Sequence, residues 1–166
     1  MDKPLDKLDE FVLGSDGQAG YSEIFLEHAL RPKNAGSLEN ASATGAERSA
    51  DGSGMEIWLL IEGEVISSAS FWTDGCSTTI ACGSMAAELA AGKTIRQALG
   101  ITAEDIDGAL GGVPGQGCTC ARLASDALKA AIRDYLAFQR ESWKRKNNRT
   151  GLERLLRAVV GPNPAP

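Results

Sequence analysis

Residues 55–91 read MEIWLLIEGEVISSASFWTDGCSTTIACGSMAAELAA, and the change of period within them decides the fold. Met55, Ile57, Leu59 and Ile61 alternate with less apolar neighbours, the period-two pattern of a half-buried strand. Glu62-Gly63-Glu64 supplies a turn, and a second strand starts at Val65. In it Val65, Ala69, Phe71 and Thr73 are expected on one face. Ile66, Ser68, Ser70 and Trp72 fall on a serine-richer, less buried face. The hairpin leaves through Asp74-Gly75-Cys76-Ser77, where Ser77 or Thr78 can cap a helix that runs to Ala91 and stops at Gly92. Cys76 therefore stands at a strand-to-helix junction. Backbone N–H groups converging on a helix start favour an anion, so its thiol should titrate below the ordinary value.

Working outward, Ser22 offers an N-cap to a helix reaching Leu30, with Ile24, Phe25, Ala29 and Leu30 expected on its buried side and Pro32 as its stop. A third strand is expected near 41–47. On the C-terminal side Thr94 caps a short helix ending at Gly100. Thr102 with Asp105 resembles a capping box for another that ends at Gly111-Gly112. The loop Val113-Pro114-Gly115-Gln116-Gly117 then delivers Cys118-Thr119-Cys120 to a helix whose stripe is Leu123, Ala124, Ala127, Leu128, Ala131, Ile132 and Tyr135. Strands and helices that segregate in this way predict an α+β fold, a small antiparallel sheet of about three strands with helices on one face.

At 166 residues one core is expected, with short appendages: a leader over 1–19, a domain over 20–138 and a basic helical extension over 139–166. The leader lacks the apolar stretch of a secretory signal, and no apolar run approaches the ~20 residues that span a bilayer, so a cytoplasmic location is expected. Four cysteines in a chain of that kind read as reduced thiols, for metal or sulfur chemistry, rather than as disulfides. The extension holds seven basic and two acidic side chains, a net +5, which leaves −10 on residues 1–138. The basic stretch is expected to break at Gly151, and Leu152, Leu155, Leu156 and Val159 mark a last amphipathic helix before Gly161-Pro162. A solvated helix or docking surface explains this tail better than nucleic-acid binding.

Cys76 and Cys82 are six residues apart and, at ~100° per residue, diverge on a helix, so Cys82 reads as a core residue. Cys118 and Cys120 would diverge on a helix and converge on an extended loop, where they are expected to lie. His28, the single histidine, reads as an ordinary helix-face residue.

Three ordered segments resemble the U-type iron-sulfur cluster assembly scaffolds, the IscU and NifU N-terminal type. Tyr21-Ser22-Glu23 with His28 and Arg31-Pro32-Lys33-Asn34-Ala35-Gly36 is similar to the family's opening. Asp74-Gly75-Cys76 through Cys82-Gly83-Ser84-Met85 is similar to its second-cysteine motif, and Cys120 through Ile132 to its third-cysteine helix. The resemblance implies three gathered cysteine ligands with a nearby aspartate, of which Cys76 and Cys120 match the second and third. At the first, where the family has Cys-Gly-Asp, this chain has Asp51-Gly52-Ser53; the histidine before the third cysteine is Thr119. The family's chaperone-recognition loop corresponds to Leu110-Gly111-Gly112-Val113-Pro114, which departs from its sequence and weakens the case for a dedicated Hsp70-type chaperone. Cys118 is a candidate substitute, giving Cys76, Cys118 and Cys120 with Asp51 as an oxygen ligand; the alternative is that Cys118 is incidental.

The function implied is a non-enzymatic scaffold that takes sulfur from a cysteine desulfurase, binds iron or a labile [2Fe-2S] cluster, and passes it to apo-proteins. A zinc-binding persulfide acceptor and a non-catalytic regulatory member of the family stand as alternatives, and a homodimer is left open.

Overall fold

The computed structural model describes residues 20–113, 115 and 117–160, the side chains of 148–160 excepted. The leader at 1–19, residues 114 and 116 of the glycine-rich loop, the stop at Gly161-Pro162 and the side chains of the Leu152–Val159 stripe lie outside this description. The chain order is α1 (Glu23–Leu30), β1 (Ala43–Arg48), β2 (Gly54–Glu62), β3 (Val65–Thr73), α2 (Ser77–Ala90), α3 (Ile95–Leu99), α4 (Ala103–Ala109) and α5 (Gly117–Val160). The strands form one antiparallel sheet in the order β1-β2-β3, and α2 and α5 pack on it. The expected α+β architecture is the one observed. No helix among the described residues is long and apolar enough to cross a membrane.

The inner face of β2 is the expected one: Met55, Ile57, Leu59 and Ile61 are all buried. In β3 the strict alternation fails. Ile61 pairs with Ile66 but Leu60 pairs with Ser68, so Ser67 is an extra residue, a bulge that reverses side-chain parity. Ile66 therefore joins Ala69 and Phe71 in the core, while Val65 is 40% exposed. Ser70, expected on the less covered face, is buried.

Helix and sheet approach so closely that only glycine fits at two points. A Cβ on Gly45 would strike the backbone of α5 at Ala127 and Ala131, and one on Gly83 would meet the Phe71 ring at 2.5 Å. Gly45 fixes the separation of β1 from α5; Gly83 sets that of α2 from β3.

The hydroxyl of Ser22 accepts from Phe25 N at 2.9 Å as the expected cap of α1 and also donates to Leu110 O at the end of α4. Phe25 and Ala29 are buried as expected, but Ile24 and Leu30 are about half exposed, because α2 lies along the side of α1 that carries His28. His28 is only 2% exposed. Its Nδ1 is 2.8 Å from Ser84 Oγ, which accepts from Lys33 N at 2.8 Å, so one serine on α2 holds both α1 and the following loop. That loop pairs with the edge of β3: Phe71 N donates to Asn34 O and Gly36 N to Phe71 O.

α5 continues through Gly151 without the expected break. A single glycine costs a helix only ~1 kcal/mol, which its neighbours outweigh. Cys118 and Cys120 lie inside this helix rather than on an extended loop.

Gly45→Ala should lose about 1–3 kcal/mol in urea unfolding because the α5 backbone cannot yield. Gly108→Ala, in α4 with open space around the new methyl group, should gain about 0.5–1 kcal/mol. Burial holds the His28 pKa below its ordinary 6.5, against the opposing pull of Glu88. The unfolded chain then takes up a proton that the folded chain refuses, so stability should fall as pH drops below about 6.5, by at most ~1.4 kcal/mol per pH unit. In His28→Asn that portion of the slope should be absent from urea midpoints compared across pH.

Candidate thiol site

The end of β3 is tied to the start of β2 before the chain turns into α2. Thr73 Oγ1 donates to Gly54 O at 2.6 Å and accepts from Gly75 N at 3.1 Å. Asp74 Oδ1 accepts from Gly54 N at 2.6 Å. Cys76 itself, not Ser77 or Thr78, is the N-cap of α2, with φ −74° and ψ 178°, and its side chain caps nothing. The residue is exposed, while its sulfur lies against the next turn of the helix.

Thr79, one turn along and 1% exposed, links the two helix starts. Its Oγ1 lies 3.6 Å from Cys76 Sγ and donates to Cys120 Sγ at 3.4 Å. Gly75 is a condition of this contact, since a Cβ there would meet Thr79 Oγ1 at 2.6 Å. Thr79 was not singled out in the sequence; its place three residues after the N-cap cysteine is the signal that could have found it.

The two thiols are pushed apart. Burial acts to raise Cys76, but hydrogen bonds from the backbone and side chains of Thr79 and Thr78 outweigh it and hold the thiol below the ordinary value. Burial raises Cys120, and the nearby Cys76 and Asp51 add to this against the Thr79 hydrogen bond, leaving it above. Cys76 is thus the readier thiolate, the form that binds soft metal and attacks sulfur; Cys120 keeps its proton until something displaces it.

Asp51 sits in the exposed turn between β1 and β2. It accepts from Ser53 N at 3.0 Å and from Ser49 Oγ, with the Ser49 bond foremost in holding its carboxyl below the usual range. Arg48 braces the same turn, donating to Gly52 O and reaching Asp74 Oδ2 at 3.4 Å. The charge of Asp51 is felt at Cys120.

Cys118 is exposed. Two residues from Cys120 on a helix, it is turned about 200° away from it. Among the described residues no three His, Cys, Asp or Glu side chains are grouped to hold a metal ion, so the expected set of Cys76, Cys118, Cys120 and Asp51 is not gathered in this arrangement. Cys82 is fully buried, its thiol pushed far up by burial; it belongs to the core, as its spacing predicts.

A three-stranded sheet backed by helices, with two thiols of opposite titration at two helix starts, defines a small thiol-bearing binding domain. The family model described as NifU-like N terminal domain matches residues 20–142, and the chain belongs to that family. It is 39% identical over 137 residues to "Iron-sulfur cluster assembly scaffold protein IscU 1" of Archaeoglobus fulgidus, covering 82% of this chain and 88% of that one. It is 40% identical over 122 residues to the protein named as the IscU scaffold in Aquifex aeolicus, covering 72% and 78%. With that of Escherichia coli K12 it shares 36% over 121 residues, covering 69% and 93%. Among solved structures, the N-terminal NifU-like protein of Brucella abortus superposes with a TM-score of 0.58 at 18% identity, covering 70% and 94%, a likeness of fold.

Thr79→Val keeps the shape of the side chain and removes its hydroxyl. In a Cys118→Ser background, alkylation of Cys76 at neutral pH should slow several-fold, and its rate profile should move to higher pH. Gly75→Ala should act in the same direction by displacing Thr79. Unchanged rates in both would take Thr79 out of the site.

Proposed function

We propose that this chain is a scaffold for iron-sulfur cluster assembly, a carrier rather than a catalyst, in keeping with the names of its relatives. The observation that carries the reading is the Cys76–Thr79–Cys120 linkage, two thiols held at helix starts through one buried hydroxyl. Iron and sulfide are the cargo, and Cys76 and Cys120 are the residues we assign to hold it. Thiolates select iron-sulfur clusters, and the readier thiolate, Cys76, engages first. Binding at Cys120 then releases its proton, so loading is favoured as pH rises.

Asp51 is the oxygen donor in this reading, with its carboxylate already ionised. An oxygen donor where the family has a thiolate suits a labile [2Fe-2S] cluster that must be passed to apo-proteins. Cys118 joins only if the first turn of α5 unwinds, which would turn its side chain toward Cys120. Sulfur arrives from a cysteine desulfurase in the cytoplasm. We assign the cargo to the body at 20–138, with 1–19 as a leader and 139–166 as an extension.

The exposure and lowered pKa of Cys76 favour one second reading, in which a thiolate accepts persulfide sulfur and zinc caps the resting thiols. Metal and sulfur analysis of fresh protein separates the two: zinc with a persulfide and no cluster supports the second.

Under anaerobic incubation with ferric iron and sulfide, the wild-type chain should develop visible charge-transfer absorption. Cys76→Ser and Cys120→Ser should lose most of it; Cys82→Ala should not. Asp51→Cys, which restores a third thiolate, should slow loss of the cluster to a chelator several-fold. A wild type indistinguishable from Cys76→Ser would overturn the scaffold reading.

A further inference from the structure

α5 leaves the body at Tyr135, whose hydroxyl donates to Gly63 O at 3.3 Å, and continues to Val160. At ~1.5 Å per residue the projecting part is roughly 37 Å long. Most helix stability in proteins comes from tertiary packing of an amphipathic face, and this part of α5 extends beyond the body that packs the rest. It also carries exposed rings, Phe138 at 65% and Trp143 at 64%. Large apolar side chains clustered in solvent mark an interaction surface.

Four of the exposed large apolar residues, Val65, Leu136, Phe138 and Trp143, fall at this end of the molecule. At the foot of the projection Leu136 joins Glu64, Thr94, Ile95, Arg96 and Leu99 around a groove of about 520 Å³. Val65 bridges Thr94 beside it. Leu136 and Trp143, two turns apart, share one side of α5 with Arg140 between them, and Lys144 flanks that side. Phe138 lies on the opposite side. The patch thus holds an aromatic knob, an apolar groove, basic side chains and an acidic hairpin tip at Glu62 and Glu64. A self-complementary interface needs these pairs together on one surface. A partner of another kind would use one half and leave the other bare.

We propose that this surface pairs with the same surface of a second copy. The two projections run antiparallel about a twofold axis near residues 139–140, and Trp143 of each copy enters the groove beside the partner's Leu136. Arg140 and Lys144 face the partner's Glu62 and Glu64. The charges favour this: residues 1–138 carry −10 and the extension +5, so each extension is drawn to the body of the other copy. The interface lies at the hairpin-tip end of the sheet, opposite the β3–α2 junction that carries Cys76, and is independent of cargo.

Sedimentation of the full chain over the micromolar range should show a dimer at low salt that dissociates as salt is raised. Trp143→Ala, with helix content checked by circular dichroism, should weaken it by roughly tenfold or more. Phe138→Ala should leave it intact. Arg140→Glu with Lys144→Glu should weaken the dimer, and adding Glu62→Lys and Glu64→Lys should restore it. A monomer at every concentration, or a dimer indifferent to Trp143→Ala, would overturn the proposal. So would a monomer whose Trp143 emission shifts only with an acidic protein such as a desulfurase, which would assign the face to that protein. Because the cysteines take no part, failure here leaves the reconstitution result untouched.

Discussion

Helices α2 and α5 lie on the same sheet, and the distance of each from it is set by a residue without a side chain. Gly83 lets α2 settle against Phe71, and Gly45 lets the α5 backbone settle against β1. Cys76 is the N-cap of α2 and Cys120 lies in the first turn of α5, so these two contacts also set how far apart the thiols sit. Thr79 spans the remaining gap with one hydroxyl. Close-packed interiors transmit displacement instead of absorbing it. A methyl group at Gly45, remote in sequence from either cysteine, therefore bears on thiol spacing as well as on stability.

The parts of the fold legible in the sequence were those written in local periodicity and capping. The alternation through Met55–Ile61, the Ser22 cap and the paired caps at Thr94 and Thr102 all mark elements that form as expected. What sequence pattern missed depends on tertiary contact. Ser67 reverses the parity of β3, yet nothing in a serine announces a bulge, which comes from the register with β2. Ile24 and Leu30 look like core residues by composition; the direction from which α2 approaches leaves them in solvent and buries His28 instead. A glycine inside a helical run reads as a stop, but α5 carries enough helix-favouring neighbours to continue past Gly151.

Within the site, Cys76 was legible because a Gly-Cys step after a strand fixes a helix start, and Cys120 because a long apolar stripe follows it. Cys118 was not, since its direction depends on where α5 begins. Two residues of extra helix separate a converging pair from a diverging one. Thr79 was the larger omission. Its importance is that a threonine hydroxyl can donate to one sulfur while lying beside another, and no motif records that.

Both thiols are partly buried and near the same threonine, yet they are shifted in opposite directions: burial raises Cys120, with Cys76 and Asp51 adding to it, whereas at Cys76 burial is outweighed by hydrogen bonds at the helix start. In the scaffold we propose, one ready thiolate and one reluctant one would bind in steps, and release would reverse them, with reprotonation of Cys120 the easier half. A carboxylate at Asp51 pulls the same way, since it adds to the burial that raises Cys120 and, as the oxygen donor we propose, would be a harder, weaker-held ligand than a third thiolate. In the proposed scaffold, departure from the family's three-cysteine pattern thus has a coherent physical consequence. It moves the balance from retention toward transfer, while the acidic body supplies a field that favours the arrival of a cation.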